Sequence, residues 1–184
     1  ASALPRARSG EPTTVVVTGE PGMGKSTLLD EVARRAEGFH VLSAAGLAGD
    51  VDAYSSLVGW GLSIDRADPR VSSPFLVAQE IRAVLDDIGP DQPVLLRLDD
   101  LQWADPESVQ ALIALMRRMS GDRLLLVVAT RPLGEVHPEW QRWVDRSDRV
   151  VRVSLQGLSL AEAEELARRR QPGLDSSTVR MLWE

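Results

Sequence analysis

The stretch Gly19-Glu20-Pro21-Gly22-Met23-Gly24-Lys25-Ser26-Thr27 has the spacing G-x-x-x-x-G-K-[ST], which suits a polyphosphate. Gly19 and Gly24, with Gly22 helping, permit backbone conformations that a side chain would forbid. Amide N–H groups can then converge on phosphate oxygens, while Glu20, Pro21 and Met23 complete the turn. The helix that follows turns the positive end of its dipole toward the same oxygens. Lys25 would reach the β- and γ-phosphates as a mobile point charge. The Ser26 hydroxyl would ligate Mg2+, and Thr27 would add a contact near the α-phosphate. Of the 21 basic residues, twenty are arginine and only Lys25 is lysine. A planar guanidinium would not fit the cradle that a compact ammonium fills.

Hydrolysis needs more than an anion site. Val94-Leu95-Leu96-Arg97-Leu98-Asp99-Asp100 reads as a buried strand ending in two acids. Asp99 would hold Mg2+ through water, opposite Ser26, and Asp100 would orient or deprotonate the water that attacks the γ-phosphate. A further apolar run, Leu124 to Ala129, ends in Thr130-Arg131. Arg131 is there the candidate sensor of the γ-phosphate.

These residues need a scaffold that brings strand ends together. Val15, Val16 and Val17 in succession mark Thr13 to Thr18 as a strand buried on both faces. Leu28, Leu29, Val32, Ala33 and Ala36 fall on one face of a helix. Further strands are predicted at Phe39 to Ala44, Val94 to Asp99, Leu124 to Thr130 and Val150 to Leu155. Helices are predicted from Pro74 to Ile88, from Asp105 as N-cap and Pro106 to about Met119, and over Pro138 to Val144. Ser159 and Glu162 form a capping box for a helix through about Arg170, and Pro172-Gly173 turns into a last segment. Between Gly46 and Ser73 the pattern is mixed, with a helix expected over Tyr54 to Leu62. Strands alternating with helices imply one α/β domain over residues 1–184. Its architecture would be a three-layer α/β/α P-loop NTPase with a central, mostly parallel five-stranded sheet. Ligands bind such sheets beyond the carboxyl ends of the strands, where the candidate residues lie.

Composition narrows the alternatives. The 184 residues are 43% apolar and 26% charged, as in ordinary globular proteins. There is no cysteine and there are two histidines, so disulfide scaffolds and zinc modules are excluded. A net charge of −6 argues against direct nucleic-acid contact or attraction to an anionic membrane. No apolar run approaches the length of a signal or a membrane span, and a cytoplasmic location is expected.

Together, Gly19 to Thr27, Leu-Leu-Arg-Leu-Asp-Asp-Leu-Gln-Trp-Ala-Asp from Leu95 to Asp105, Thr130-Arg131-Pro132, and Leu155-Gln-Gly-Leu-Ser159 through Glu162 carry a resemblance. They resemble the ATPase module of STAND-class signal-transduction P-loop ATPases, most closely that of large ATP-binding LuxR-type transcriptional regulators. The resemblance implies a slow ATPase and nucleotide-controlled switch using ATP/ADP and Mg2+. It also implies C-terminal partner domains in the same polypeptide and nucleotide-dependent self-association. Three features depart from the family. Ala1 to Pro12 replaces the segment that helps form the base pocket, the helical region after the fifth strand stops at Glu184, and Arg97 occupies an aliphatic position. A charge inside a central strand requires a partner.

Other readings of the same residues are a non-hydrolysing module with ADP as structural cofactor and a small-molecule kinase. A GTPase is disfavoured because guanine recognition commonly uses a second, lysine-containing motif. Trp103 is expected to pack as a loop anchor, Trp140 and Trp143 in the core, and Arg168, Arg169 and Arg170 at a solvated helix end. His40 and His137 are assigned no chemistry. Lys25→Ala is predicted to abolish ADP binding in a calorimetric titration while the chain stays folded. Unchanged affinity would refute the cradle.

Overall fold

The computed structural model describes residues 3–50, 52–62 and 73–171, together with 178 and 181. The predicted turn at Pro172-Gly173 and the segment after it lie outside this description, as does much of the stretch before Ser73. The elements are α1 (Ala3–Arg8), β1 (Thr13–Thr18), α2 (Lys25–Arg35), β2 (His40–Ala45), α3 (Pro74–Ile88), β3 (Val94–Asp99), α4 (Pro106–Arg118), β4 (Leu124–Thr130), α5 (Pro138–Arg146), β5 (Val150–Ser154) and α6 (Leu160–Arg170). The five strands form one sheet in the order β2-β3-β4-β1-β5, with every pairing parallel. This is the three-layer α/β/α architecture expected of a P-loop NTPase, and the sheet is wholly rather than mostly parallel.

The period of two along each strand divides the core. Val16, Leu96, Leu98, Leu126 and Val128 face a cluster shared with α3, α4 and α5. Val17, Leu95, Leu125, Val127 and Ala129 face the opposite way, against Ala7 of α1 and Leu29 of α2. All seven residues of β4 are buried, which explains why six of them, Leu124 to Ala129, form an unbroken apolar run. Trp140 and Trp143 pack in the first cluster with ring centroids 4.9 Å apart, the core role expected of them.

Two elements were not anticipated as they occur. α1 lies within Ala1 to Pro12, where no element is predicted; its buried Ala7 docks it on the sheet. The helix expected over Tyr54 to Leu62 is a shorter 3-10 helix, Ser55–Trp60. Its position is fixed from a distance by Asp105. That carboxylate is 5% exposed and accepts hydrogen bonds from Tyr54 N at 2.9 Å and Ser56 N at 3.5 Å. It also caps α4 through Ser108 N at 2.7 Å and takes the Ser108 hydroxyl at 2.6 Å. Tyr54 adopts a left-handed backbone with φ 62°, and its buried hydroxyl, held neutral by desolvation and then by Glu107 and Asp105, is pushed above the usual phenol range.

Arg97 follows Leu95 on the α2 side of the sheet and finds there the partner its burial requires. It pairs with Asp30 of α2 and lies 3.7 Å from Asp99. Asp105→Ala would strand buried amide donors on two segments at once. It is predicted to lower unfolding free energy by about 2–4 kcal/mol in urea denaturation. A change within about 0.5 kcal/mol would refute the role given to this carboxylate.

Candidate functional site

The loop after β1 and the first turn of α2 form the floor of the site. Gly22 and Gly24 have φ of 82° and 81°, the left-handed conformation that only glycine adopts without cost. Gly19 is in close quarters for a different reason: a Cβ there would lie 3.1 Å from the Leu155 carbonyl oxygen, where the chain leaves β5, and the neighbouring backbone would have to give way. α2 begins after Gly24 with no side-chain cap, whereas α4, α5 and α6 are capped by Asp105, His137 and Ser159. The first-turn N–H groups of α2 have no carbonyl four residues back and face the loop's concavity. His137 thus has a structural role, its Nδ1 accepting from Glu139 N at 3.4 Å.

Lys25 is 8% exposed, and its Nζ donates to the carbonyls of Gly19 at 2.8 Å and Glu20 at 3.0 Å. The ammonium is therefore held at the loop by oxygens already present, close to where phosphate oxygens would compete for it. Pro21, Gly22, Gly24, Lys25, Ser26 and Thr27 line a cavity of about 450 Å³ with Asp100, Gln102, Trp103 and Arg131. Of the residues expected at the site, Gly19, Glu20, Met23 and Asp99 are off this wall. The first two act through their carbonyls, and Met23 is partly exposed.

The β3 end is tightly specified. Asp99 lies on the same face of the strand as Leu95 and Arg97, the side from which α2 and Ser26 start. Its Oδ1 accepts from Asp100 N at 3.0 Å. Asp100 has φ 51° and ψ 46°, an uncommon left-handed backbone for a residue with a side chain. The chain passes Gly46 at this point, where a Cβ would meet the Asp100 carbonyl at 2.5 Å and Ala104 N at 2.8 Å. Gly46 N also donates to the Asp99 carbonyl at 2.9 Å.

Gln102 joins the two strand ends. Its Nε2 donates to Asp100 Oδ1 at 2.8 Å, and its Oε1 accepts from Arg131 N at 3.0 Å. Arg131 reaches Glu135 at 3.3 Å, and its guanidinium carbon is 5.1 Å from the Trp103 ring centroid. Trp103, expected to pack as a loop anchor, is 40% exposed on the cavity wall. The loop holds its ring over Arg131, where a cation–π contact uses the indole face. Sequence reasoning gave Gln102 no role. Its signal was its place between the acids and Trp103 in the most specific stretch of the chain.

Among the described residues no group of three His, Cys, Asp or Glu could by itself hold a metal. Ser26 on the wall and the β3 acids nearby fit a cation of the magnesium type, which takes one or two protein oxygens and completes its shell with phosphates and water. No described helix is long and apolar enough to cross a membrane. Arg168 and Arg169 reach Glu165 on α6, in keeping with a solvated helix end.

The sequence model of a family described as the AAA ATPase domain matches residues 1–128. A DNA repair protein RadA of Mycobacterium tuberculosis is 34% identical over 95 residues, which are 49% of this chain and 18% of that protein's length. In fold, the chain is similar to the ORC2 protein of Aeropyrum pernix, with TM-score 0.64 and 16% identity over 95% of this chain and 51% of that one. A RuvB variant of Thermotoga maritima gives 0.61 at 16% identity, covering 98% and 53% of the two chains. A STAND protein with a tetratricopeptide repeat sensor from Pyrococcus horikoshii gives 0.56 at 19% identity, covering 98% and 26%.

The exposed indole of Trp103 on the cavity wall gives a direct reporter. ADP is predicted to change tryptophan emission, and Trp103→Phe to remove most of that change. A ligand response that survives Trp103→Phe undiminished would place the ligand elsewhere.

Proposed function

The chain belongs to the AAA ATPase domain family, and on that premise we propose that it is a nucleotide-controlled switch module that binds ATP with Mg2+ and hydrolyses it slowly. The observation that carries this reading is a single cavity onto which the glycine loop, Lys25, Ser26, Asp100 and Arg131 all open. We further propose a signal-transducing regulator of the LuxR type as its setting, where nucleotide state biases packing against other domains of the same polypeptide and self-association. The Asp-Asp-Leu-Gln-Trp-Ala-Asp stretch and the fold shared with a STAND protein support that setting.

In this reading the loop amides and the α2 N-terminus hold the β- and γ-phosphates, and Lys25 exchanges its carbonyl partners for phosphate oxygens. Ser26, with Asp99 acting through water, would hold Mg2+, which neutralises charge on the phosphates when bound. Asp100, fixed by Gln102, accepts a hydrogen bond from the attacking water and orients it in line. Arg131, on the same cavity wall, would sense the γ-phosphate. The Gln102 bridge ties its backbone to the Asp100 carboxylate, so a shift at one strand end is felt at the other.

Asp100→Asn is predicted to lower ATP turnover by at least about 100-fold with ADP affinity changed less than about threefold. Gln102→Ala is predicted to lower kcat about tenfold with little effect on KM, because it loosens Asp100 without touching the phosphates. Turnover of Asp100→Asn equal to that of the parent chain would overturn the catalytic assignment.

A further inference from the structure

The end of the sheet opposite the glycine loop carries a second cavity, about 520 Å³, with no part in the chemistry above. It lies between α4 and α5 beside the first residues of β1. On α5, Glu139, Arg142, Trp143 and Arg146 recur at the spacing of one helical face; Ile113, Met116 and Arg117 do so on α4. Thr14 and Arg149 close it from the strand starts, joined by the bond from Thr14 N to the Arg149 carbonyl at 3.0 Å.

Charge at this cavity is unbalanced. Four guanidinium groups, those of Arg117, Arg142, Arg146 and Arg149, meet two carboxylates, Glu139 and Asp148. Arg142 reaches Glu139 only at 3.9 Å, and Arg149 is satisfied by the Met119 carbonyl at 2.7 Å. Among the described residues, the side chains of Arg117 and Arg146 make no hydrogen bond or ion pair. Beneath them Ile113, Met116 and Trp143 supply an apolar floor. Thr14, fully buried, closes the inner end of the cavity, so the cavity is a blind recess between α4 and α5 with its arginines at the mouth.

We propose that this cavity is a second binding site, separate from the glycine loop, for a small phosphomonoester carrying a compact apolar group. The phosphate takes the forked donors of Arg142 and Arg146, since guanidinium groups match tetrahedral oxyanions in paired hydrogen bonds. The dianion offsets the two uncompensated positive charges, and the apolar group covers the α4–α5 floor. β1 links the two sites, with Thr14 near its start and Gly19 just after its end. Five residues of extended chain place them about 16 Å apart.

The probe is 1-naphthyl phosphate, titrated calorimetrically into the whole 184-residue chain in parallel with 1-naphthol and inorganic phosphate. One saturable site is expected for the ester, with at least about tenfold weaker binding for each fragment. Lys25→Ala, which disables the glycine loop, is expected to leave the ester's affinity unchanged, and ADP is expected not to displace it. Replacing Arg142 and Arg146 together by alanine is expected to weaken it at least about tenfold. Both side chains are exposed and alanine favours a helix, so that variant keeps the parent's unfolding midpoint. Displacement by ADP, equal binding of 1-naphthol, affinity unchanged in the arginine variant, or no saturable binding at millimolar ester would each overturn the proposal.

Discussion

A polyphosphate tail concentrates several negative charges within a few ångströms, and only donors fixed in advance can replace the water it loses. The turn between β1 and α2 is built to meet that demand. The turn from β1 into α2 leaves the helix start without a side-chain cap, so its amide dipoles are directed at the concavity rather than at the protein's own oxygens. Lys25, almost entirely buried, is held by two carbonyls of the same turn. Cationic charge is thus stored beside the anion site and needs only a small rearrangement to change partners. Burial of β1 between β4 and β5 makes the platform beneath the turn rigid.

The second half of the site is set at the end of β3. The alternation of the strand already sends the side chains of Asp99 and Asp100 to opposite sides, and the left-handed backbone at Asp100 turns the chain out of the strand into the tight turn that carries Gln102 and Trp103. Asp99 remains on the α2 side, bonded to the following amide and near Arg97. Asp100 is turned onto the cavity wall and tethered by Gln102. Support for that conformation comes from far along the chain. Gly46 lets another segment press against the Asp100 carbonyl, and Asp105 pins the Tyr54 backbone behind it. The distal segment thereby becomes part of the foundation of the loop that carries Asp100.

Much of this was legible in the residues. Unbroken apolar runs at β1 and β4 declared central parallel strands because both faces are buried, and Asp105 and Ser159 cap the helices they were assigned. The cradle was legible because its function is local, confined to nine consecutive positions. What was illegible depends on partners distant in sequence. Arg97 read as an unexplained charge until Asp30, 67 residues away, was brought beside it. The stretch around Tyr54 has a weak helical pattern because Asp105, rather than its own periodicity, holds it. Trp103 read as a packing anchor of its loop, and what it packs against, Arg131 from the end of β4, lies 28 residues on. α1 is short and carries a single fully buried residue, too little pattern to be found.

If binding is governed by the cradle, affinity must come from the phosphates rather than from the base or sugar. Calorimetric titration of the chain with adenosine, AMP and ADP in matched buffer separates these contributions. The account predicts that ADP binds at least about tenfold more tightly than AMP, with adenosine weaker still. Equal affinity for adenosine and ADP would contradict it.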